Sequence, residues 1–160
     1  MQTFLPYKRF DHSARVLDNK RLGKQRVETM QIMKALVLNE GWIHHPVTKM
    51  WRGYEMTLFA YQEAICDQWS IKRKFNDTCL EKTRALLEGR EDTALALNAY
   101  DHGADLILPP WLGLKKFHSP HRANLLRKDP IHYGRFGWKE LPDEGYWYPP
   151  EGFTLSNKES

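Results

Sequence analysis

Only two cysteines, Cys66 and Cys79, occur in the 160 residues. That is too few for a disulfide scaffold and suits a reducing cytoplasm, with both thiols read as unreactive. No apolar run approaches the roughly 20 residues that a membrane helix requires. The opening stretch Met1-Gln2-Thr3-Phe4-Leu5-Pro6 has no apolar core of signal-peptide length. His118 and His121, or His44 and His45, stand without the cysteines or carboxylates that complete a zinc site, so neither a metal nor a cofactor is expected. No internal repeat and no linker divides the chain. One domain over residues 1–153 is expected, followed by a frayed end at 154–160.

What is present is ordinary in amount and uneven in distribution. The hydrophobic fraction is 41% and the charged fraction 28%, which argues for a folded body rather than disorder. The net charge of +4 is modest. From Arg15 to Arg26, however, Arg15, Lys20, Arg21, Lys24 and Arg26 face only Asp18, and from Lys115 to Arg135 six cations face only Asp129. Segregated positive charge attracts polyanions. His118, His121 and His132 fall in the second window and add charge there if they protonate in mild acid. Two solvated helix faces are the bland alternative.

Hydrophobic periodicity gives an all-α fold: a compact helical domain with an extended lead-in and an irregular, aromatic-rich C-terminal tail. A long helix is expected from a cap at Asp11 or Ser13 to about Leu38. Gly23 is a weak point in it, and a buried stripe is expected at Val27, Met30, Met33 and Val37. A second helix, about Val47 to Ser70, carries Trp51, Tyr54, Leu58, Tyr61 and Ile65 on one face. Shorter helices follow at about 78–87 and 93–100. Ser119-Pro120 reads as the cap and first position of a helix ending at Asp129-Pro130. Glu55, among aromatics, needs a partner if buried, and Arg52 is the nearest.

Three constellations carry chemistry. Asp18, Arg21, Gln25 and Glu28 recur every three or four residues and so share a helix face, with Arg15 a turn earlier and Lys20 and Lys24 in the neighbouring row. Such a face can bind phosphate through arginine forks and still supply an acid or base. It can equally be a set of surface salt bridges. The second constellation is the helix opening at Ser119-Pro120, where free N–H groups, His118, His121, Arg122, Asn124 and Lys128 make a candidate anion track. The third is the aromatic tail, suited to base stacking or to clamping the core. Stacking is favoured for His132-Tyr133, and the clamp for Trp147 and its neighbours.

In this order the motifs resemble the pyrimidine-dimer DNA glycosylase family, that of phage endonuclease V, in a bacterial branch. The resemblance rests on the run from Arg15 to Glu28, on His45-Pro46 with Met50-Trp51-Arg52-Gly53-Tyr54-Glu55, and on His121-Arg122-Ala123-Asn124-Leu125-Leu126 with Lys128-Asp129-Pro130 and His132-Tyr133. It implies a compact all-α fold with the active site on the first helix. It also implies an N-terminal amine that attacks the sugar C1′ of a damaged pyrimidine nucleotide, a Schiff base, and strand cleavage by β-elimination. An α-amine titrates near about 8 and is nucleophilic at physiological pH, unlike ordinary lysine.

Gln2 is bulky enough to leave Met1 in place, so the implied nucleophile is the Met1 amine, or else Lys20 or Lys24. The carboxylate implied to assist is Glu28 or Asp18. The DNA-contacting set implied by charge and resemblance is Arg15, Lys20, Arg21, Lys24, Gln25, Arg26, His45, His118, His121, Arg122, Asn124, Lys128, His132 and Tyr133. The expected partner is duplex DNA bearing a pyrimidine lesion, in the cytoplasm, at the nucleoid of a bacterium. A non-catalytic nucleic-acid binder and an enzyme acting on a pyrimidine nucleotide are the alternatives.

Overall fold

A computed structural model describes residues 1–156, so the expected fraying of the last residues, 157–160, lies outside the described part. Every regular element there is helical. In order they are α1 (Phe10–Val16), α2 (Asn19–Leu38), α3 (Pro46–Trp51), α4 (Glu55–Asp67), a π-helical turn (Gln68–Lys72), α5 (Cys79–Glu88), α6 (Glu91–Asp101), α7 (Lys115–Lys128), α8 (Pro130–Tyr133) and a 3-10 turn (Gly134–Phe136). None is long and apolar enough to cross a membrane. Helix α4 lies at the centre, packed on α1, α2 and α5. The largest fully buried side chains are aromatic: Trp51, Trp111, Tyr61, Tyr133, Phe59 and Phe117. Burying each such ring removes enough apolar surface from water to contribute about 1.5–3 kcal/mol.

The expected first helix is two helices. α1 ends at Val16, and Leu17 and Asp18 are extended, with ψ of 136° and 160°. Leu17 is fully buried, and Tyr133 binds both the Asp18 amide and its carboxylate, so tertiary contacts override helix continuation here. Ser13 does not cap; its hydroxyl exchanges hydrogen bonds with the Tyr7 backbone. The buried stripe of α2 is also rotated from the expected one. It runs through Leu22, Gln25, Thr29, Ile32 and Met33, while Val27 is 38% exposed. The polar members are what hid this phase: Thr29 Oγ1 bonds back to Gln25 O, and the Gln25 amide serves a segment far away in sequence.

The expected second helix breaks at Arg52–Tyr54, where Gly53 takes φ of +90°, a left-handed conformation that favours glycine. Trp51, Leu58, Tyr61 and Ile65 are buried as the stripe requires, and Tyr54 is half-buried. Arg52 pairs with Glu151 at 2.7 Å rather than with Glu55, whose carboxylate accepts the Gly53 N–H.

α7 starts earlier than Ser119-Pro120: Leu114 is its N-cap and Pro120 lies inside the helix. An interior proline costs about 3 kcal/mol. The preceding turn has anchors that offset this, with Phe117 packed on Trp111 at 4.5 Å and His118 held at both ring nitrogens. The tail beyond the 3-10 turn is irregular and clamps the body. The Lys116 ammonium sits 4.3 Å from the Trp147 ring centroid.

Candidate active site

The lead-in runs through the protein rather than over it: residues 2–6 are all buried. An extended strand inside a helical bundle has no sheet to satisfy its backbone, so side chains must do so. Trp51 Nε1 donates to Thr3 Oγ1 at 3.0 Å. The Phe4 N–H donates to Gln25 Oε1 at 2.8 Å, and the Tyr61 hydroxyl lies 2.7 Å from Phe4 O and 2.8 Å from Gln25 Oε1. Two histidines of α7 hold Leu5. His121 Nδ1 accepts its N–H at 3.0 Å, and the His118 Nδ1 edge lies 2.8 Å from its carbonyl. Arg122 Nη1 donates to Pro6 O at 2.6 Å while its Nε pairs with Glu140.

This scaffold delivers the start of the chain to one carboxylate. The Gln2 N–H donates to Glu28 Oε2 at 3.1 Å, and Gln25 Nε2 donates to the same oxygen at 3.2 Å while also holding Gln2 O at 2.7 Å. Glu28 Oε1 has no hydrogen-bond partner among the described residues. His45 completes the corner. Burial lowers its pKa first, the neighbouring N-terminal ammonium lowers it further, and the Glu28 carboxylate opposes both. His45 Nδ1 accepts the Val47 N–H at 3.0 Å, so a neutral ring carries its proton on Nε2. Tyr148, from the tail, accepts from Gln2 Nε2 at 3.3 Å and meets the His45 ring edge-on. Glu28's charge also raises Tyr61, after the larger effect of burial.

A family model described as pyrimidine dimer DNA glycosylase matches residues 1–83, which include Met1, Glu28 and His45. The chain belongs to that family. No curated protein and no solved structure matches it. Membership in a pyrimidine dimer DNA glycosylase family implies a DNA substrate and a repair role. The matched half holds the whole of the Glu28 corner except Tyr148.

The structure sorts the residues singled out in the sequence into three groups. Met1, Glu28 and His45 come together. Arg15, Lys20 and Lys24 are exposed on α1 and α2 with no ion pair among the described residues, and Lys128 is exposed on α7. The rest are engaged internally. Arg21 bonds Asp18 at 3.1 Å, and Arg26 bonds Asp77 at 2.6 Å. Asp18 is held below the usual carboxylate range although burial pushes it up, because the Tyr133 hydroxyl and Arg21 bind its charged form.

Gln25, His118, His121, Asn124 and Tyr133 are buried, so His118, His121 and Asn124 are withdrawn from the expected anion track and Tyr133 from the expected stacking surface, while Arg122 is half-buried and Lys128 exposed. Burial also opposes the charge expected of His118 and His121 in mild acid. Burial lowers both, His121 to about 3. The His132 Nε2 edge lies 2.8 Å from Val16 O. Gln2, Tyr61, Trp51 and Tyr148 were not among the expected site residues. Their signal, polar tips on buried large side chains, becomes readable only once the lead-in is known to pass through the core.

Proposed function

We propose that this protein is a DNA glycosylase acting on damaged pyrimidines, above all pyrimidine dimers, with the Met1 amine as nucleophile and Glu28 as its acid–base partner. The observation that carries this is the Gln2 N–H on Glu28 Oε2 at 3.1 Å, which tethers the first peptide unit to a carboxylate with one oxygen still free. The neutral amine attacks the sugar C1′, and the bond from C1′ to the pyrimidine N1 breaks with its electron pair leaving on the base. Glu28 Oε1 takes the proton that the new ammonium sheds. The resulting cyclic glycosylamine opens to a protonated Schiff base as the C1′–O4′ bond breaks, its electron pair going to O4′, which takes the proton held on Glu28. Loss of a C2′ proton then expels the 3′-phosphate, which is the lyase step. His45, neutral and with Nε2–H free to donate, suits hydrogen bonding to the opened sugar. Arg15, Lys20 and Lys24 suit the phosphates on either side.

The test is borohydride trapping with a duplex carrying one abasic site. An adduct mapped to the Met1 peptide, and abolished by acetylating the α-amine, is the expected result. An adduct on Lys20 or Lys24 would reassign the nucleophile. No adduct, from protein that binds the duplex, would remove the lyase step and leave a monofunctional glycosylase or a binder.

A further inference from the structure

The turn between α4 and α5 departs twice from ordinary helical backbone. Gln68–Lys72 is π-helical, and Lys74 takes a left-handed φ of 64°. Single π-turns and left-handed non-glycine residues are uncommon and gather at functional sites. Here they build a stack. The Arg26 guanidinium lies 4.4 Å from the centroid of the Trp69 ring, and Phe75 lies 4.4 Å from Trp69, tilted by 32°. The stack is braced on α2, where a Cβ at Gly23 would meet the Trp69 ring at 3.1 Å. A glycine inside a helix costs about 1 kcal/mol, and this close approach accounts for it. Trp69 Nε1 donates to Asn76 O, and Arg73 reaches Asn19 Oδ1 and the Arg15 carbonyl, so the segment is fastened to the α1–α2 junction.

The stack ends in the open. Phe75 is 41% exposed and Ile71 56%, and Lys72 and Lys74 are exposed between them. At about 100° per residue, the solvent ridge of Lys20 and Lys24 on α2 has Gly23 with its stack on one flank and Glu28 on the other. A helix with its side chains is about 10–12 Å across, on the order of one DNA groove width. A duplex seated on that ridge would be wide enough to touch both flanks.

We propose that the open face of Phe75 is a stacking platform for a nucleobase of the bound DNA that has lost its partner or left the helix, with Lys72 and Lys74 on the adjoining phosphates. This rests on the DNA-glycosylase reading above. A lone exposed phenylalanine is a liability in water. One prestacked on a tryptophan under a guanidinium, flanked by cations, is a rigid surface that any base can cover.

The test compares two labelled duplexes of one sequence by fluorescence anisotropy, one fully paired and one with a tetrahydrofuran abasic analogue opposite adenine. Phe75→Ala is expected to weaken binding of the analogue duplex by roughly 5- to 100-fold, with the paired duplex nearly unchanged. Phe75→Leu, which keeps an apolar cover on Trp69, should lose the same preference, and Phe75→Trp should retain it. Lys20→Ala with Lys24→Ala should weaken both duplexes alike. Wild-type preference in Phe75→Ala and Phe75→Leu, or an equal loss on both duplexes, overturns the platform alone. A wild-type protein that binds neither duplex overturns the DNA reading and the platform with it.

Discussion

The backbone N–H of Leu5 donates to Nδ1 of His121 at 3.0 Å, joining residues 116 apart in the chain. The bond requires an unprotonated Nδ1, and burial holds His121 neutral down to about 3. In the unfolded chain a histidine titrates near about 6.5. Between those values the unfolded state binds the extra proton, so stability rises with pH and falls as acid is added.

The expected slope is about 1.4 kcal/mol per pH unit from His121, beginning as pH drops below about 6.5. His118, also lowered mainly by burial, adds in the same direction, as do His12 and His45. Asp18 and Asp77 are lowered, so their contribution is lost only in stronger acid, below the ordinary carboxylate range. Urea denaturation at pH 7.5, 6 and 5 measures this. A flat profile would mean that His121 is not a buried neutral acceptor.

Glu28→Gln keeps the size of the side chain and an oxygen for the Gln2 N–H, but it removes the base of the proposed mechanism. Steady-state excision from a dimer-containing duplex should fall by about 100- to 10,000-fold, the range for loss of a positioned acid–base group. Binding of the same duplex should persist. Loss of binding in step with activity would assign Glu28 a role in holding the fold or the DNA instead.

Tyr133 joins α8 to the α1–α2 junction, its hydroxyl donating to the Asp18 carboxylate and accepting the Asp18 N–H at 3.0 Å. Tyr133→Phe removes a bond to a charged group and leaves a part-buried N–H unpaired. Stability should drop by about 2–3 kcal/mol, read from the denaturation midpoint. A change below about 0.5 kcal/mol would show that water replaces the hydroxyl freely.

Gly23 was readable as a weak point in a helix, and replacing it with a good helix former would ordinarily stabilise. Here the Trp69 ring occupies the space, pressed between Arg26 and Phe75. Gly23→Leu should therefore destabilise by about 1–3 kcal/mol as an overpacked contact. Thermal melts check this, and the Trp69 fluorescence should shift with it.

The helical class, the basic first segment and the shared helix face of Gln25 and Glu28 were legible because periodicity and charge are local properties of sequence. The aromatic stripe of α4 was legible for the same reason. What was hidden depends on distant contacts. Leu17-Asp18 breaks a helix because Tyr133 lies 115 residues away. Gln25 was read on a phosphate-binding face because sequence cannot show that a strand of backbone will pass beside it. His118, His121 and Arg122 carry the composition of a phosphate site and spend it on the backbone of residues 5 and 6.

The buried lead-in also orders events during synthesis. Residues 2–6 leave the ribosome first, yet their clasp on α7 cannot close until more than a hundred further residues have emerged. At about 5–20 residues per second the first segment waits many seconds without its final contacts. The Met1 amine is thus made first and positioned late, so a chain interrupted before α7 lacks the clasp that fixes residues 5 and 6.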